Sequence, residues 1–285
     1  MKFISTFLIV STLLSFVSLP TLAKSAQTFN SDVVHVFILA GQSNMQGRTT
    51  IPAVQVVNEN VLIWNGTRVL RLDVSGNPTR DGMGTVKIES MGWRIAQEPV
   101  NIYPNGRFSP STSFANSIIK QTGLSNLRIG LINCAVGGTS IEQWSSDGEY
   151  YRTCLRLVKQ LMSLEKVVID GVIWSQGESN TISKQAADNW LSLTKQLYEN
   201  FKRDLNNNSL PFVFAQLGYD IKSSKFPYWT YLQNIQPQLV GENIAMISTK
   251  DLSKNLDRIH FNTKSQIIIG ERLATAFLTI STWPK

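Results

Sequence analysis

Val36-Phe37-Ile38-Leu39-Ala40-Gly41-Gln42-Ser43-Asn44-Met45-Gln46-Gly47-Arg48 is the stretch whose reading decides the fold. An apolar, β-branched run stops at Gly41, and a serine follows two residues later. A buried strand that ends in Gly-x-Ser delivers a hydroxyl to the carboxyl edge of a sheet, where open α/β folds build their sites. A serine used as a nucleophile needs a base, and the chain has only two histidines, His35 and His260. His35 belongs to the same run as the serine and cannot fold back on Ser43 if that run is a strand. His260 remains, in Asp257-Arg258-Ile259-His260, three residues after a carboxylate able to orient it.

The 285 residues, 42% hydrophobic and 16% charged, suit an ordinary globular chain with room for a large core. Residues 1–23 read as a secretory signal. Lys2 supplies the positive start, a short apolar run follows, and Thr21-Leu22-Ala23 offers small residues at a cleavage point. Serines, threonines and Pro20 break that run, which argues against a membrane anchor, and no other segment reaches the roughly 20 apolar residues of a spanning helix. The expectation is a protein without stable membrane insertion after cleavage, secreted or periplasmic. Losing Lys2 leaves 26 basic against 20 acidic side chains. That excess is scattered rather than gathered into a block, so nucleic acid is not an expected partner. Cys134 and Cys154 could pair in an oxidising compartment, or Cys134 could be a buried free thiol; both readings stand. Asn65-Gly66-Thr67 and Asn207-Asn208-Ser209 fit the N-glycosylation pattern, which matters only in a eukaryotic host.

Apolar runs at 33–40, 127–134, 167–175, 211–217 and 243–247 are short and do not alternate, as expected of strands buried on both faces. Helical spacing fills the intervals at 111–121, 149–163, 184–205 and about 263–279. Ser109-Pro110 stands where a cap and first-turn proline would open the first of these. The alternation predicts a three-layer α/β domain over 33–281, after a lead-in at 24–32, with a five-stranded parallel sheet and helices on both faces. The stretch 48–110 breaks the rhythm with Gly, Asn, Pro and Arg. It reads as a loop that shapes the substrate site.

Ester hydrolysis by a serine requires a base, a group to orient the base, and donors for the oxyanion that develops. Asp257 and His260 stand at i and i+3, so one turn of chain can hold the carboxylate against the ring. Two further strand ends reach the same edge. The second runs into Asn133-Cys134-Ala135-Val136-Gly137-Gly138-Thr139-Ser140, whose glycines let a bare backbone N–H approach a substrate oxygen. The third runs into Trp174-Ser175-Gln176-Gly177-Glu178-Ser179-Asn180, with an amide and a carboxylate beside a glycine.

Four of these segments, Gly41-Gln42-Ser43-Asn44-Met45, Gly137-Gly138-Thr139-Ser140, Trp174-Ser175-Gln176-Gly177-Glu178-Ser179 and Asp257-Arg258-Ile259-His260, resemble the blocks of the SGNH hydrolase superfamily. More narrowly they are similar to its sialate O-acetylesterase-like branch, with carbohydrate esterase family 6 acetyl-xylan esterases and plant carbohydrate esterases. The resemblance runs over about 33–280. It implies the flavodoxin-like SGNH fold, with Ser43 as nucleophile, His260 as general base and Asp257 as its partner. It also implies the N–H groups of Ser43 and Gly138 as oxyanion donors. The wider superfamily completes that set with an asparagine. Here Gln176 is the expected third donor, because an ionised Glu178 cannot donate. Glu178, and Gln42 where the wider superfamily has Asp, are expected behind the reacting groups, holding loop geometry. Phe108-Ser109-Pro110-Ser111-Thr112-Ser113 departs from the Gly-Pro-rich turn of plant relatives, in a segment that helps line the family's site. No metal or organic cofactor is implied.

The expected activity is therefore removal of O-acetyl groups from an acetylated carbohydrate. The residues alone argue serine acyl transfer; the resemblance adds acetyl and carbohydrate. A lipase or thioesterase would need an apolar acyl groove, and a glycan-binding protein would have no reason to keep Ser43, Asp257 and His260. Trp64, Trp93 and Trp144 either stack on sugar rings or pack in the interior.

Overall fold

β1 (Val34–Gly41) occupies the centre of a sheet and is buried along its whole length. Its alternate residues feed two separate cores. Val36, Ile38 and Ala40 pack on one face, and Phe37 and Leu39 on the other. This explains why the run is uniformly apolar rather than alternating. The computed structural model describes residues 32–65, 68–72, 85–89, 92–101, 106–219 and 222–283. The signal segment expected at 1–23, nearly all of the lead-in and Gly66-Thr67 of the first glycosylation motif lie outside these residues.

In chain order β1 is followed by a single helical turn, α1 (Ser43–Gln46), then β2 (Val61–Asn65), the hairpin of β3 (Arg68–Leu72) and β4 (Thr85–Glu89), and β5 (Gly92–Ile95). Helices and strands then alternate: α2 (Ser111–Thr122), β6 (Arg128–Asn133), α3 (Glu149–Leu164), β7 (Val167–Ser175), α4 (Lys184–Asp204), β8 (Phe212–Ala215), α5 (Trp229–Ile235), β9 (Ile244–Ile247) and α6 (Thr263–Ile280). The main sheet has seven strands in the order β5-β2-β6-β1-β7-β8-β9. Six are parallel and β5 pairs antiparallel at the edge. The five expected strands are all present, and β2 and β5 correct the count. Both come from the stretch read as irregular, where no helix stands between them to set the short apolar pieces off as strands.

Helices α2 and α6 cover one face through Phe114, Ile118, Ile269, Leu273 and Phe277. The other face is covered by α3, α4 and α5 through Val158, Leu161, Trp190, Leu197 and Leu232. The opening of α2 is built differently from the expected Ser-Pro cap. Pro110 takes the cap position, Ser109 Oγ accepts the Ser111 N–H at 3.2 Å, and buried Glu98 accepts the Thr112 N–H at 3.3 Å. A disulfide joins Cys134, just past β6, to Cys154 in α3, with both residues buried.

Register places the site. Gly41 pairs with Ser175, Ser175 with Ala215 and Ala215 with Ile247, so the carboxyl ends of β1, β7, β8 and β9 form one row. Ser43 leaves the sheet at that row, beside the strand where the chain's progress reverses direction. Among the described residues no helix is long and apolar enough to cross a membrane.

Candidate active site

Gly41 ends β1 with φ +121°, a conformation that L side chains rarely adopt. A Cβ there would lie 2.1 Å from the Ser175 carbonyl oxygen. Only glycine therefore lets β1 and β7 come this close while Gln42 N–H donates to that same oxygen at 2.8 Å. The chain turns at once into α1, whose first residue is Ser43.

Asp257 and His260 arrive on the loop between β9 and α6. Asp257 Oδ1 accepts the N–H groups of Ile259 and His260, each at 2.9 Å, and Oδ2 lies 2.7 Å from His260 Nδ1. His260 Nε2 lies 2.8 Å from Ser43 Oγ. A carboxylate beside Nδ1 accepts the proton there, which leaves Nε2 free to take one from the serine. Desolvation pushes the Asp257 carboxyl up, but the His260 N–H, the His260 ring and the Ile259 N–H outweigh it and hold the carboxyl below its ordinary range. Two residues on, Asn262 caps α6 by accepting the Ser265 N–H at 2.9 Å, which ties the loop to a rigid element. His35 sits at the opposite end of β1, with Nδ1 2.8 Å from Asp170 Oδ2, while Trp283 donates to the same carboxyl at 3.0 Å.

Asn44 locks these parts together, a role the sequence reading did not give it. Its side-chain nitrogen donates to Glu178 Oε1 at 2.5 Å and to the Ile259 carbonyl at 3.4 Å, and its side-chain oxygen accepts the Phe261 N–H at 3.1 Å. The Asn44 carbonyl receives Gln266 from α6 at 3.0 Å. One buried amide thus connects β1, the end of β7 and the histidine loop. Its position beside the serine was the only signal in the sequence. Glu178 faces Asn44 with one oxygen, and its other oxygen is buried without a partner among the described residues.

Gly138 has φ +80° and lies exposed on the cavity, its N–H without a partner among the described residues. Gln176 is not available for the role expected of it. Its Nε2 donates to the Thr139 carbonyl at 3.2 Å and to Asn180 Oδ1 at 2.6 Å, and its Oε1 accepts from Trp190 at 2.8 Å. With both amide hydrogens spent inside the protein, Gln176 fixes the two loops and does not line the cavity.

The cavity around Ser43 measures about 380 Å³, and Gln42, Gly138, Glu178 and His260 are among the residues lining it, as are Arg48, Ile182, Lys225 and Phe226. Among the described residues of the stretch 48–110 only Arg48 reaches it. Beside the Gly137–Gly138 turn and the histidine loop, two further loops shape it: residues 178–182 after β7, and residues 225 and 226 after β8. The sequence signal for the second was Lys225-Phe226-Pro227-Tyr228-Trp229, a basic and aromatic cluster following a strand end. The Phe108–Ser113 segment does not line the cavity. Trp144 is fully buried and donates to Thr139 Oγ1 at 3.1 Å, and buried Trp64 packs edge-on to half-buried Trp93 at 5.2 Å; none of the three lines the cavity.

The family model described as carbohydrate esterase, sialic acid-specific acetylesterase matches residues 33–279. The chain is similar to a probable carbohydrate esterase of Arabidopsis thaliana, 28% identical over 250 residues that cover 86% of this chain and 90% of the relative. An X-ray structure of the Arabidopsis thaliana protein matches with TM-score 0.69 at 24% identity, covering 86% of this chain and 98% of that one. NanS matches with TM-score 0.63 at 15% identity, covering 88% and 98%. A carbohydrate acetylesterase from Xanthomonas citri gives TM-score 0.57 at 19% identity, covering 86% of this chain and 56% of that one. At these identities the solved structures speak for the fold alone.

Proposed function

The chain belongs to the carbohydrate esterase, sialic acid-specific acetylesterase family and is thereby a carboxylic ester hydrolase; from that premise we propose that it is an exported enzyme that deacetylates a carbohydrate through an acetyl-enzyme on Ser43. The relay from Ser43 through His260 to Asp257, opening on a cavity, is the observation that carries this reading.

Ser43 Oγ attacks the acetyl carbon as its proton passes to His260 Nε2, and the carbonyl electron pair moves onto oxygen. Asp257, held ionised by its three partners, keeps the ring in the right tautomer and favours the imidazolium that forms. Collapse of the intermediate expels the sugar oxygen, which takes the proton from Nε2. Water then repeats the sequence on the acetyl-enzyme and releases acetate. The N–H groups of Ser43 and Gly138 donate to the oxyanion in both halves. Arg48 and Lys225 at the rim of the cavity suit a sugar bearing a carboxylate. Export is supported by the leader-like residues 1–23 and by the Cys134–Cys154 disulfide.

Acetate release from O-acetylated sialic acid and from acetylated xylan, by the parent and by Ser43→Ala, tests the proposal. The parent should release acetate and prefer the acidic sugar, and Ser43→Ala should lose nearly all turnover. Equal activity of the two proteins would overturn the mechanism.

A further inference from the structure

We propose that the side-chain amide of Gln42 is the third donor to the oxyanion, in the place expected of Gln176, an inference that rests on the acetyl-enzyme reading above. Gln42 precedes the nucleophile, is buried, and lines the same cavity as Ser43, Gly138 and His260. Its side-chain oxygen accepts two backbone N–H groups, from Gly177 at 3.4 Å and Ser179 at 3.3 Å. Two donors facing one end of an amide settle which end is oxygen, because an NH₂ group there would meet two hydrogens. The nitrogen is therefore turned the other way. It has no protein partner among the described residues, and it is not among the polar atoms sealed in the interior without one. A pocket-lining residue with an unspent, accessible nitrogen presents that nitrogen to the pocket.

Four other donors at this edge are spoken for. The Gly137 N–H donates to Gln46 Oε1 at 2.9 Å, Asn44 serves Glu178 and Ile259, Asn180 serves Glu142 and Ala186, and Gln176 is consumed as described. Gln42 thus combines two tasks: its oxygen holds the loop after β7, and its nitrogen meets the charge that develops when Ser43 attacks. A carboxylate at this position could perform only the first.

That asymmetry supplies the test. Gln42→Glu keeps the acceptor and loses the donor, Gln42→Met loses both without adding charge, and Ser43→Ala tests the underlying mechanism. With p-nitrophenyl acetate as probe, Gln42→Glu should melt at the parent's temperature while kcat falls by about 10²–10³ with KM little changed. Gln42→Met should lose as much kcat and also melt lower. If Gln42→Glu, or Gln42→Met should the former not fold, turns over within about threefold of the parent, far short of the loss of an oxyanion donor, the assignment is wrong. In that event an inactive Ser43→Ala leaves the acetyl-enzyme reading standing, whereas an active one removes both.

Discussion

Replacing Glu98 with glutamine should flatten the dependence of stability on pH between about pH 5 and 8. Burial drives the Glu98 carboxyl from its ordinary 4.5 up to about 7, against the opposing pull of Ser109, the N–H groups of Thr112 and Val100, and the Thr112 hydroxyl. In the unfolded chain the group titrates near 4.5, so between there and about 7 the folded protein keeps a proton that the unfolded chain has lost. Stability from this group therefore falls as pH rises through the window, and is level below and above it. At about 1.4 kcal/mol per unit, a window of about 2.5 units amounts to ~3 kcal/mol. Glutamine removes that slope but leaves the Val100 N–H, now 3.3 Å from Oε2, without an acceptor, which costs ~1–2 kcal/mol at every pH. Glu98→Gln should thus be the weaker protein at pH 5 and draw level with or overtake the parent at pH 8. Urea denaturation at pH 5, 6, 7 and 8 reads this directly. Two parallel curves, separated by a constant offset, would refute the reasoning.

Gly41→Ala forces a Cβ against the Ser175 carbonyl at a positive φ, and should lower the unfolding free energy by ~3 kcal/mol or more in chemical denaturation; a loss below about 1 kcal/mol would mean that β1 and β7 can part freely. Asn44→Ala leaves the Phe261 N–H and the Glu178 carboxylate without their partner, so it should cost ~2–4 kcal/mol and reduce kcat by about 10- to 100-fold through a loosened histidine loop. Parental kcat in a well-folded Asn44→Ala would remove its positioning role. Replacing Cys134 and Cys154 together by alanine opens a loop with a sequence separation of 20 and should cost ~3 kcal/mol, read as a fall in melting temperature while the surviving folded enzyme keeps its turnover.

Much of the fold was legible because strands buried on both faces must be apolar throughout, and helices covering them must repeat every three to four residues. The runs at 33–40 and 167–175 could hardly be anything else. β2 and β5 escaped because no helix separates them in the chain, and their pairing with each other and with β6 is a tertiary fact. The grouping of Ser43, Asp257 and His260 could be read because so few histidines exist and because i, i+3 spacing is local. The misplacement of Gln176 has the opposite cause. Nothing in Trp-Ser-Gln-Gly-Glu says that Trp190, fourteen residues on, and Thr139, on another strand's exit, will claim that amide. The tryptophans stayed open for the same reason: a large aromatic suits a sugar face and a core alike, and only packing decides.

Quenched reaction of the parent with an activated acetyl ester, followed by peptide mass mapping, tests the proposed mechanism most directly. Acetyl should appear during the first turnover on the peptide that carries Ser43, at Ser43 itself, and should be absent from Ser43→Ala. Steady release of acetate with no acetyl on Ser43, and with Ser43→Ala still turning over, would contradict it.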